Sequence, residues 1–233
     1  MSLRSSLRKL RRAAYEFAGN GRYSRPALND LDNKLSRYLT GRHGVFIEAG
    51  ANDGFSQSNT YYLEKFLGWS GILVEAIPSL YKQARRCRSR ARVFNCALVP
   101  FAHEGAEIKL TYGNLMSFVD GAMGSPEADA EYLREARRHD QEAGSYQVKV
   151  RGRALSSLIE ECGLTRIDFL SLDVEGYEEH VLRGLDFTRH RPTFICVEAL
   201  EARHRFAVEQ VLLPYYQLVE QLTEMDVLYR ARS

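Results

Sequence analysis

Residues 45–54 read VFIEAGANDG and decide the fold class of this chain. An apolar run leads into a turn with two glycines, Gly50 and Gly54, and a helical pattern follows near residues 59–67. Glycine lets the backbone turn sharply and approach a bound molecule closely. Because parallel α/β sheets bind ligands at the carboxyl ends of their strands, this stretch predicts the first strand and the first ligand-binding turn of such a sheet.

The alternation of apolar runs and helical patterns continues along the chain. Strand-like runs lie at residues 71–74, 92–94, 147–150, 167–172 and 193–197. This order predicts a doubly wound, mostly parallel α/β sheet with helices on both faces. The last two strand-like runs, 216–219 and 226–229, are too close in sequence for a parallel crossover, so we expect a C-terminal antiparallel hairpin.

Two segments interrupt this alternation. Residues 106–120 are interpreted as a hairpin insertion. Ser125 and Pro126 then start a mostly charged helix that Gly144 closes. We interpret it as an exposed element, either a lid near the ligand site or a solvated structural helix.

Composition sets the broad class of protein. The 233 residues, 45% apolar and 27% charged, suffice for one globular domain with an extension. A net charge of +2 creates no global field that attracts nucleic acid, so no nucleic-acid partner is expected. The four cysteines form no C-x-x-C pair, which indicates reduced thiols and a cytoplasmic location. No segment approaches the roughly 20 apolar residues of a membrane span.

Residues 1–40 are predicted to form a helical extension, and residues 41–233 the domain itself. Within residues 1–18, Leu3, Leu7 and Leu10 recur at helical spacing among basic residues, which predicts a basic amphipathic helix. Such a helix can lie on an anionic membrane surface as a peripheral contact. It can also dock on its own domain or on a partner subunit of a homo-oligomer, and the sequence leaves these alternatives open.

Acidic residues in the first turn indicate the charge of the ligand. Glu48 and Asp53 would repel a diphosphate but suit the sulfonium and ammonium groups of S-adenosylmethionine. Their presence favours that cofactor over NAD. The expected C-terminal hairpin agrees, because it is typical of methyltransferase sheets, whereas dinucleotide dehydrogenase domains end on a parallel strand.

The second and third strands end in residues suited to a nucleoside. Glu75 lies about 20 residues beyond the glycine turn, where a carboxylate accepts hydrogen bonds from ribose hydroxyls. The alternative is that Glu75 caps the helix that begins at Pro78. After the third strand, Asn95, Cys96 and Ala97 are predicted to lie beside the adenine.

Further carboxylates follow the strand-like runs at residues 167–172 and 193–197. Asp173 could hold the amino group of the cofactor, act as general base on an acceptor hydroxyl, bind a divalent metal, or merely cap the next helix. Glu175 could share the first three roles. Glu198 with Asp173 would make a two-carboxylate metal site, and His204 is either a second candidate base or a surface histidine.

Several strings together resemble FkbM-type methyltransferases. They are GANDG at residues 50–54 with SNT at 58–60, EAIP at 75–78, DVEGYE at 173–178 with VLRGL at 181–185, and DVLY at 226–229. The resemblance runs from about Ser24 to the C-terminus. It departs from the usual pattern at Glu48, where the family more often has Asp, and at Ala76, where an EPxP-like turn is common.

The resemblance implies a class I, Rossmann-like methyltransferase fold, S-adenosylmethionine as donor, and O-methylation of a hydroxyl on a small molecule, sugar or glycolipid. By motif position the resemblance implies a set of cofactor-binding residues. We include in this set further residues of the quoted strings that lie beside those positions. The set is Glu48, Gly50, Asn52, Asp53, Gly54, Ser58, Glu75, Ala76 and Asp173. Two alternatives stay open: a dinucleotide-dependent oxidoreductase, and a methyltransferase fold that serves as a non-catalytic binding module.

Overall fold

A computed structural model describes residues 3–112, 118–119, 146–199 and 201–232 of the chain. The helices are α1 (Leu3–Phe17), α2 (Leu31–Leu35), α3 (Tyr61–Leu67), α4 (Pro78–Cys87), α5 (Leu155–Glu161), α6 (Glu178–Leu182) and α7 (Ala202–Leu212). The strands are β1 (Val45–Ala49), β2 (Ser70–Val74), β3 (Ala91–Phe94), β4 (Ala97–Leu98), β5 (Glu107–Tyr112), β6 (Phe118–Val119), β7 (Tyr146–Arg153), β8 (Phe169–Leu172), β9 (Phe194–Glu198), β10 (Tyr216–Gln221) and β11 (Asp226–Ala231).

The main sheet has seven strands in the order β10-β11-β9-β8-β1-β2-β3. Strands β3, β2, β1, β8 and β9 run parallel, while β11 pairs antiparallel with β9 and with β10. The predicted parallel sheet with an antiparallel C-terminal hairpin is confirmed. Strand β1 lies between β2 and β8, so the first turn and the ends of its two neighbours meet at one edge.

A second sheet has the order β4-β7-β5-β6. The predicted hairpin in 106–120 is present as a short β5–β6 pairing, Leu110 opposite Val119. Strand β5 pairs along its whole length with β7, so the prediction that residues 147–150 continue the main alternation is wrong. Periodicity reports which face of a strand is buried but not which sheet the strand joins. The helix predicted from Ser125 to Gly144 lies outside the described residues.

Apolar side chains fill both faces of the main sheet. In β1 the side chains alternate, so Phe46 packs on one face while Ile47 and Ala49 pack on the other. Helices α5, α6 and α7 cover the Ile47 face, and α2 and α3 cover the Phe46 face. The sheet is therefore buried on both sides, as the doubly wound prediction requires.

The N-terminal helix contacts its own domain through polar groups. Glu16 accepts hydrogen bonds from the hydroxyls of Ser24 and Tyr61, each at 2.8 Å. The guanidinium of Arg12 lies 3.4 Å from the ring centroid of Phe55. Leu7 and Leu10 of α1 and its last residue, Phe17, point away from the domain, because they are 57%, 67% and 97% exposed.

The four cysteines are free thiols, and Cys96 and Cys196 are buried. In the described part of the chain, no helix combines the length and the apolar character that crossing a bilayer requires.

A buried arginine ties the first turn to the helices behind it. The side chain of Arg88 is 0% exposed. Its guanidinium donates to Glu64 Oε2 at 2.8 Å and to Thr60 Oγ1 at 2.8 Å, and lies 3.3 Å from Glu48 Oε2. The end of α4 is thereby joined to β1 and to the start of α3.

Replacing Arg88 by leucine leaves Glu48 and Glu64 buried without a countercharge. Loss of one partner from a buried ion pair costs about 3–5 kcal/mol, so we expect Arg88→Leu to lower the free energy of unfolding by that order, as measured by urea denaturation. Arg37→Leu, which breaks an ion pair with Glu220 at the surface, is the matched control and should change stability little. Equal losses for both variants would contradict the role assigned to Arg88.

Candidate functional site

A cavity opens at the carboxyl ends of β1, β2 and β8 and encloses about 800 Å³, its mouth included. It combines turns of the main sheet with the start of α4 and with three residues of the second sheet, Ala97 and Leu98 in β4 and Leu110 in β5. The lining residues are Gly50, Asn52, Gln57, Val74, Glu75, Ala76, Ile77, Leu80, Cys96, Ala97, Leu98, Leu110, Asp173, Val174, Glu175 and Tyr177.

The backbone at the mouth of the cavity is tightly constrained. Gly50 has φ 82°, and a Cβ there would lie 1.8 Å from the carbonyl oxygen of Asp173. Asn52 and Glu175 adopt left-handed backbone angles, with φ of 49° and 56°, which non-glycine residues rarely adopt. Strained residues of this kind concentrate at functional sites, where the surrounding structure holds them in place.

Glu75 presents a fixed carboxylate to the cavity. It is 7% exposed, and its two oxygens accept hydrogen bonds from the backbone N–H of Asn52 at 2.7 Å and of Ile77 at 2.8 Å. Burial raises the pKa of Glu75 to about 7, and these backbone donors oppose the rise. Each carboxylate oxygen can accept a further bond, so the pair suits two adjacent hydroxyls. Ile77 directly precedes α4, so Glu75 also helps to fix the start of that helix.

Residues 95–97 contribute unequally to the wall of the cavity. Cys96 and Ala97 line the cavity, and burial raises the pKa of the Cys96 thiol to about 12, so this thiol is neutral. Asn95 does not line the cavity. Its amide Nδ2 donates to the carbonyl oxygens of Glu75 and Ala76 at 2.9 and 2.8 Å, so it braces the turn instead of contacting an adenine as predicted.

The structure does not bring Glu48 to the cavity. Its carboxylate is buried and accepts hydrogen bonds from Ser58 Oγ at 2.9 Å and from Asn59 N–H at 2.7 Å, beside the Arg88 guanidinium. The sequence held a signal for this, because strand alternation places Glu48 on the same face as Phe46. Ser58 likewise lies behind the cavity.

Asp53 and Gly54 also shape the turn without lining the cavity. Asp53 accepts hydrogen bonds from the backbone N–H of Phe55 at 2.9 Å and of Ser56 at 2.6 Å. A Cβ on Gly54 would lie 2.9 Å from the Cα of Ala84 in α4. Among the described residues, the acids that line the cavity are therefore Glu75, Asp173 and Glu175, and not Glu48 and Asp53, which were predicted to supply the negative charge.

Asp173 and Glu198 form a hydrogen-bonded acid pair. Burial raises the pKa of both carboxyls, that of Glu198 more strongly, because Asp173, Glu175 and Asp226 add negative charge beside it. The two carboxyls therefore compete for one proton, and the surrounding negative charge favours protonation of Glu198 over that of Asp173. Among the residues that the structure describes, no three His, Cys, Asp or Glu side chains are grouped so as to hold a metal ion. The structure brings Asp173 and Glu198 together, and the two-carboxylate metal site predicted for them stays a prediction.

Asp173 is not a helix cap. The turn before α6 is held by Glu178, whose carboxylate accepts hydrogen bonds from Val174 N–H at 3.0 Å and from Gly176 N–H at 3.1 Å. The Asp173 carboxylate is thus free to face the cavity.

His204 lies on α7 and is not part of the cavity lining. Its Nδ1 is buried and has no hydrogen-bond partner in the described structure, and burial lowers its pKa below the usual value. The structure therefore does not bring His204, the second candidate base, into the lining of the cavity.

Several lining residues escaped the sequence analysis. Ile77 and Leu80 form one wall, and their place directly after Glu75 was an available signal. Tyr177 stands within the DVEGYE string. Leu110 reaches the cavity from β5, and nothing in its local sequence indicates that the second sheet packs there.

The family comparison agrees with this geometry. The model of the FkbM methyltransferase domain matches residues 48–229. No curated protein sequence matches the chain significantly.

Several solved methyltransferase structures resemble the chain at low sequence identity. A TehB-like S-adenosylmethionine-dependent methyltransferase from Corynebacterium glutamicum is 12% identical over 98% of both chains, with a TM-score of 0.46. A S-adenosylmethionine-dependent methyltransferase from Aquifex aeolicus is 10% identical over 89% of this chain and 92% of its own, with a TM-score of 0.47. Precorrin-6y C5,15-methyltransferase from Geobacter metallireducens is 11% identical over 87% and 88%, with a TM-score of 0.46. These likenesses are too distant to bear on substrate or chemistry.

The family match covers most of the chain, and the sheet has the parallel core and antiparallel end that the family implies. The chain therefore belongs to the FkbM methyltransferase domain family and has the fold of a class I S-adenosylmethionine-dependent methyltransferase.

Proposed function

We propose that this methyltransferase moves the methyl group of S-adenosylmethionine to a hydroxyl oxygen of a small molecule, sugar or glycolipid. The observation that carries the proposal is the Asp173 carboxylate, which faces the cavity, caps no helix and is backed by Glu198. A hydroxyl is a poor nucleophile until its proton is removed, and a positioned carboxylate can accept that proton.

The cavity offers complementary groups for each part of the donor. Glu75 suits the ribose hydroxyls, and Ile77, Leu80 and Leu98 provide an apolar wall for the adenine. The carboxylates of Asp173 and Glu175 attract the sulfonium and ammonium charges. Of the cofactor residues predicted from sequence, Gly50, Asn52, Ala76, Cys96 and Ala97 also line the cavity.

In the proposed reaction, Asp173 accepts the proton of the acceptor hydroxyl as the oxygen forms its bond to the methyl carbon. The sulfur–methyl bond breaks, and its electron pair stays on sulfur, which leaves neutral S-adenosylhomocysteine. The protein contributes alignment of oxygen, methyl and sulfur together with removal of one proton.

The oxidoreductase alternative needs a site for a diphosphate. Three carboxylates and no Lys or Arg lie among the residues that line the described cavity, so a diphosphate would meet repulsion there. A non-catalytic binding module would keep the cavity but would not need Asp173, which an activity measurement tests.

Asp173→Asn keeps the size of the side chain but removes its basicity. We expect methyl transfer to fall by on the order of 10²–10⁴-fold, the usual contribution of a general base. The assay uses isotopically labelled S-adenosylmethionine with fractionated extracts as acceptor source, and mass spectrometry identifies the product that gains a methyl group. Binding of S-adenosylhomocysteine, measured by calorimetry, should weaken in the variant but persist, because Glu75 and Glu175 still line the cavity. Full activity of Asp173→Asn would refute the assigned base.

Glu198 acts through Asp173 as a positioning residue. Glu198→Gln retains a side-chain donor toward Asp173 and should keep most activity, whereas Glu198→Ala should lose roughly tenfold or more in kcat/KM, since small misplacements of a reacting group are costly. In the wild type, kcat/KM should rise with pH through about 6, the pKa of Asp173.

The rise of kcat/KM on the acidic side of its pH profile, the acid limb, tests this positioning role. The hydrogen bond from Glu198 lowers the pKa of Asp173, so its loss in Glu198→Ala should move the acid limb of kcat/KM to higher pH. Glu198→Gln should stay near the wild-type profile. An unshifted profile in Glu198→Ala would show that Glu198 is only a packing residue.

We further propose that α1 attaches the protein to an anionic membrane surface, which would suit a glycolipid acceptor. Leu7, Leu10 and Phe17 are exposed beside the exposed basic residues Arg8 and Lys9. This combination of apolar and basic side chains suits the boundary of an acidic bilayer. A cytoplasmic location accords with the free thiols.

Paired Leu7→Ser and Leu10→Ser substitutions remove the exposed apolar side chains of α1 without touching its Arg12 and Glu16 contacts. We expect about tenfold weaker partition into phosphatidylserine-containing vesicles in sedimentation assays. Wild-type binding should fall with added salt and be weak on pure phosphatidylcholine. Equal binding of the variant and the wild type would rule out this attachment.

A further inference from the structure

A second cavity lies between α2 and α3, on the Phe46 face of the main sheet. It encloses about 700 Å³, its mouth included. No residue that lines it also lines the first cavity. The lining residues are Arg25, Asp32, Leu35, Ser36, Leu39, Thr40, Asn59, Tyr62, Leu63 and Leu67.

Asp32 is an unsatisfied carboxylate in this cavity. It is 5% exposed, and neither of its oxygens has a hydrogen-bond partner within the described structure. Burial raises the pKa of Asp32 to about 6. The backbone N–H groups of Asn33 and Ala27 partly oppose this rise, although neither carboxylate oxygen has a hydrogen-bond partner in the described structure. Buried polar groups normally have partners, because an unpaired one costs free energy.

A cation lines the same cavity without pairing with Asp32. The guanidinium of Arg25 lies 3.5 Å from the ring centroid of Tyr62. Its charge lowers the pKa of Asp32, yet none of the ion pairs and hydrogen bonds in the described structure involves Arg25. Both groups are therefore available to a ligand of matching charges.

We propose that this cavity binds a small zwitterion with an apolar body, whose ammonium group contacts Asp32 and whose carboxylate contacts Arg25. The ammonium group would supply the donors that the Asp32 oxygens lack, and a guanidinium fork suits a carboxylate. Leu35, Leu39 and Leu63 form the apolar part of the wall. An α-amino acid with an aliphatic or aromatic side chain has this combination of groups. The site is independent of methyl transfer, since it shares no lining residue with the first cavity.

The test titrates the full chain with L-leucine, L-methionine and L-phenylalanine, followed by calorimetry and by NMR shifts of the Leu35, Leu39 and Leu63 methyl groups. We expect saturable binding of at least one of them with shifts at these methyl groups. Two analogues of leucine each lack one charge: isopentylamine lacks the carboxylate, and 4-methylpentanoate lacks the ammonium. Each should bind at least about tenfold more weakly than leucine, since a charged hydrogen bond contributes about 1.5–3 kcal/mol.

Matched variants separate this site from the first cavity and from misfolding. Asp32→Asn and Arg25→Gln should each weaken amino-acid binding at least about tenfold. Asp30→Asn and Arg37→Gln, which change exposed charges next to the cavity, should not, and neither should Asp173→Asn. Asp32→Asn should melt no lower than the wild type at neutral pH, because it removes a buried charge.

The proposal is overturned if none of the three amino acids binds the folded chain. It is also overturned if isopentylamine binds as tightly as leucine, which would indicate a site for organic cations, or if Asp32→Asn binds undiminished. Loss of binding in Asp173→Asn would place the amino acid in the first cavity and likewise reject a second site.

Discussion

The buried guanidinium of Arg88 organises the part of the molecule on which the site depends. Besides Glu48, Thr60 and Glu64, it contacts the backbone carbonyl of Gly54 at 3.3 Å and the hydroxyl of Ser58 at 3.1 Å. Residues 48–64 therefore wrap around one cation. A multidentate cation in a dry environment fixes the positions of several acceptors at once, because any acceptor that moved away would leave a buried charge unmatched.

This constraint reaches the cavity through the backbone. With the first turn fixed, Asn52 is held in a left-handed conformation from which its N–H reaches Glu75. Gly50 meanwhile passes so close to the carbonyl of Asp173 that no side chain fits between them. The ends of β1, β2 and β8 are thus locked together, and the carboxylates that face the cavity are placed before any ligand arrives.

The acidic residues at this edge of the sheet have different roles although they look alike in sequence. Glu48 is paired with a cation and supports the turn. Glu178 satisfies backbone donors and closes the loop before α6. Asp173 and Glu198 compete for one proton at the cavity. What distinguishes them is the partner of each carboxylate, and in most of these cases the partner comes from a distant segment.

The sequence by itself determined the fold class, the antiparallel end of the sheet and the family, because these follow from local periodicity, turn residues and short strings within one segment. It also pointed to Glu75 and Asp173. Only the tertiary structure decided that Glu48 faces Arg88, that Glu178 frees Asp173 from a capping role, that residues 147–150 join a second sheet, and that Asp32 meets no hydrogen-bond partner among the described residues. Apart from the local bonds of Glu178, these outcomes depend on which remote segment a strand or helix meets, and a pattern along the chain does not specify that segment.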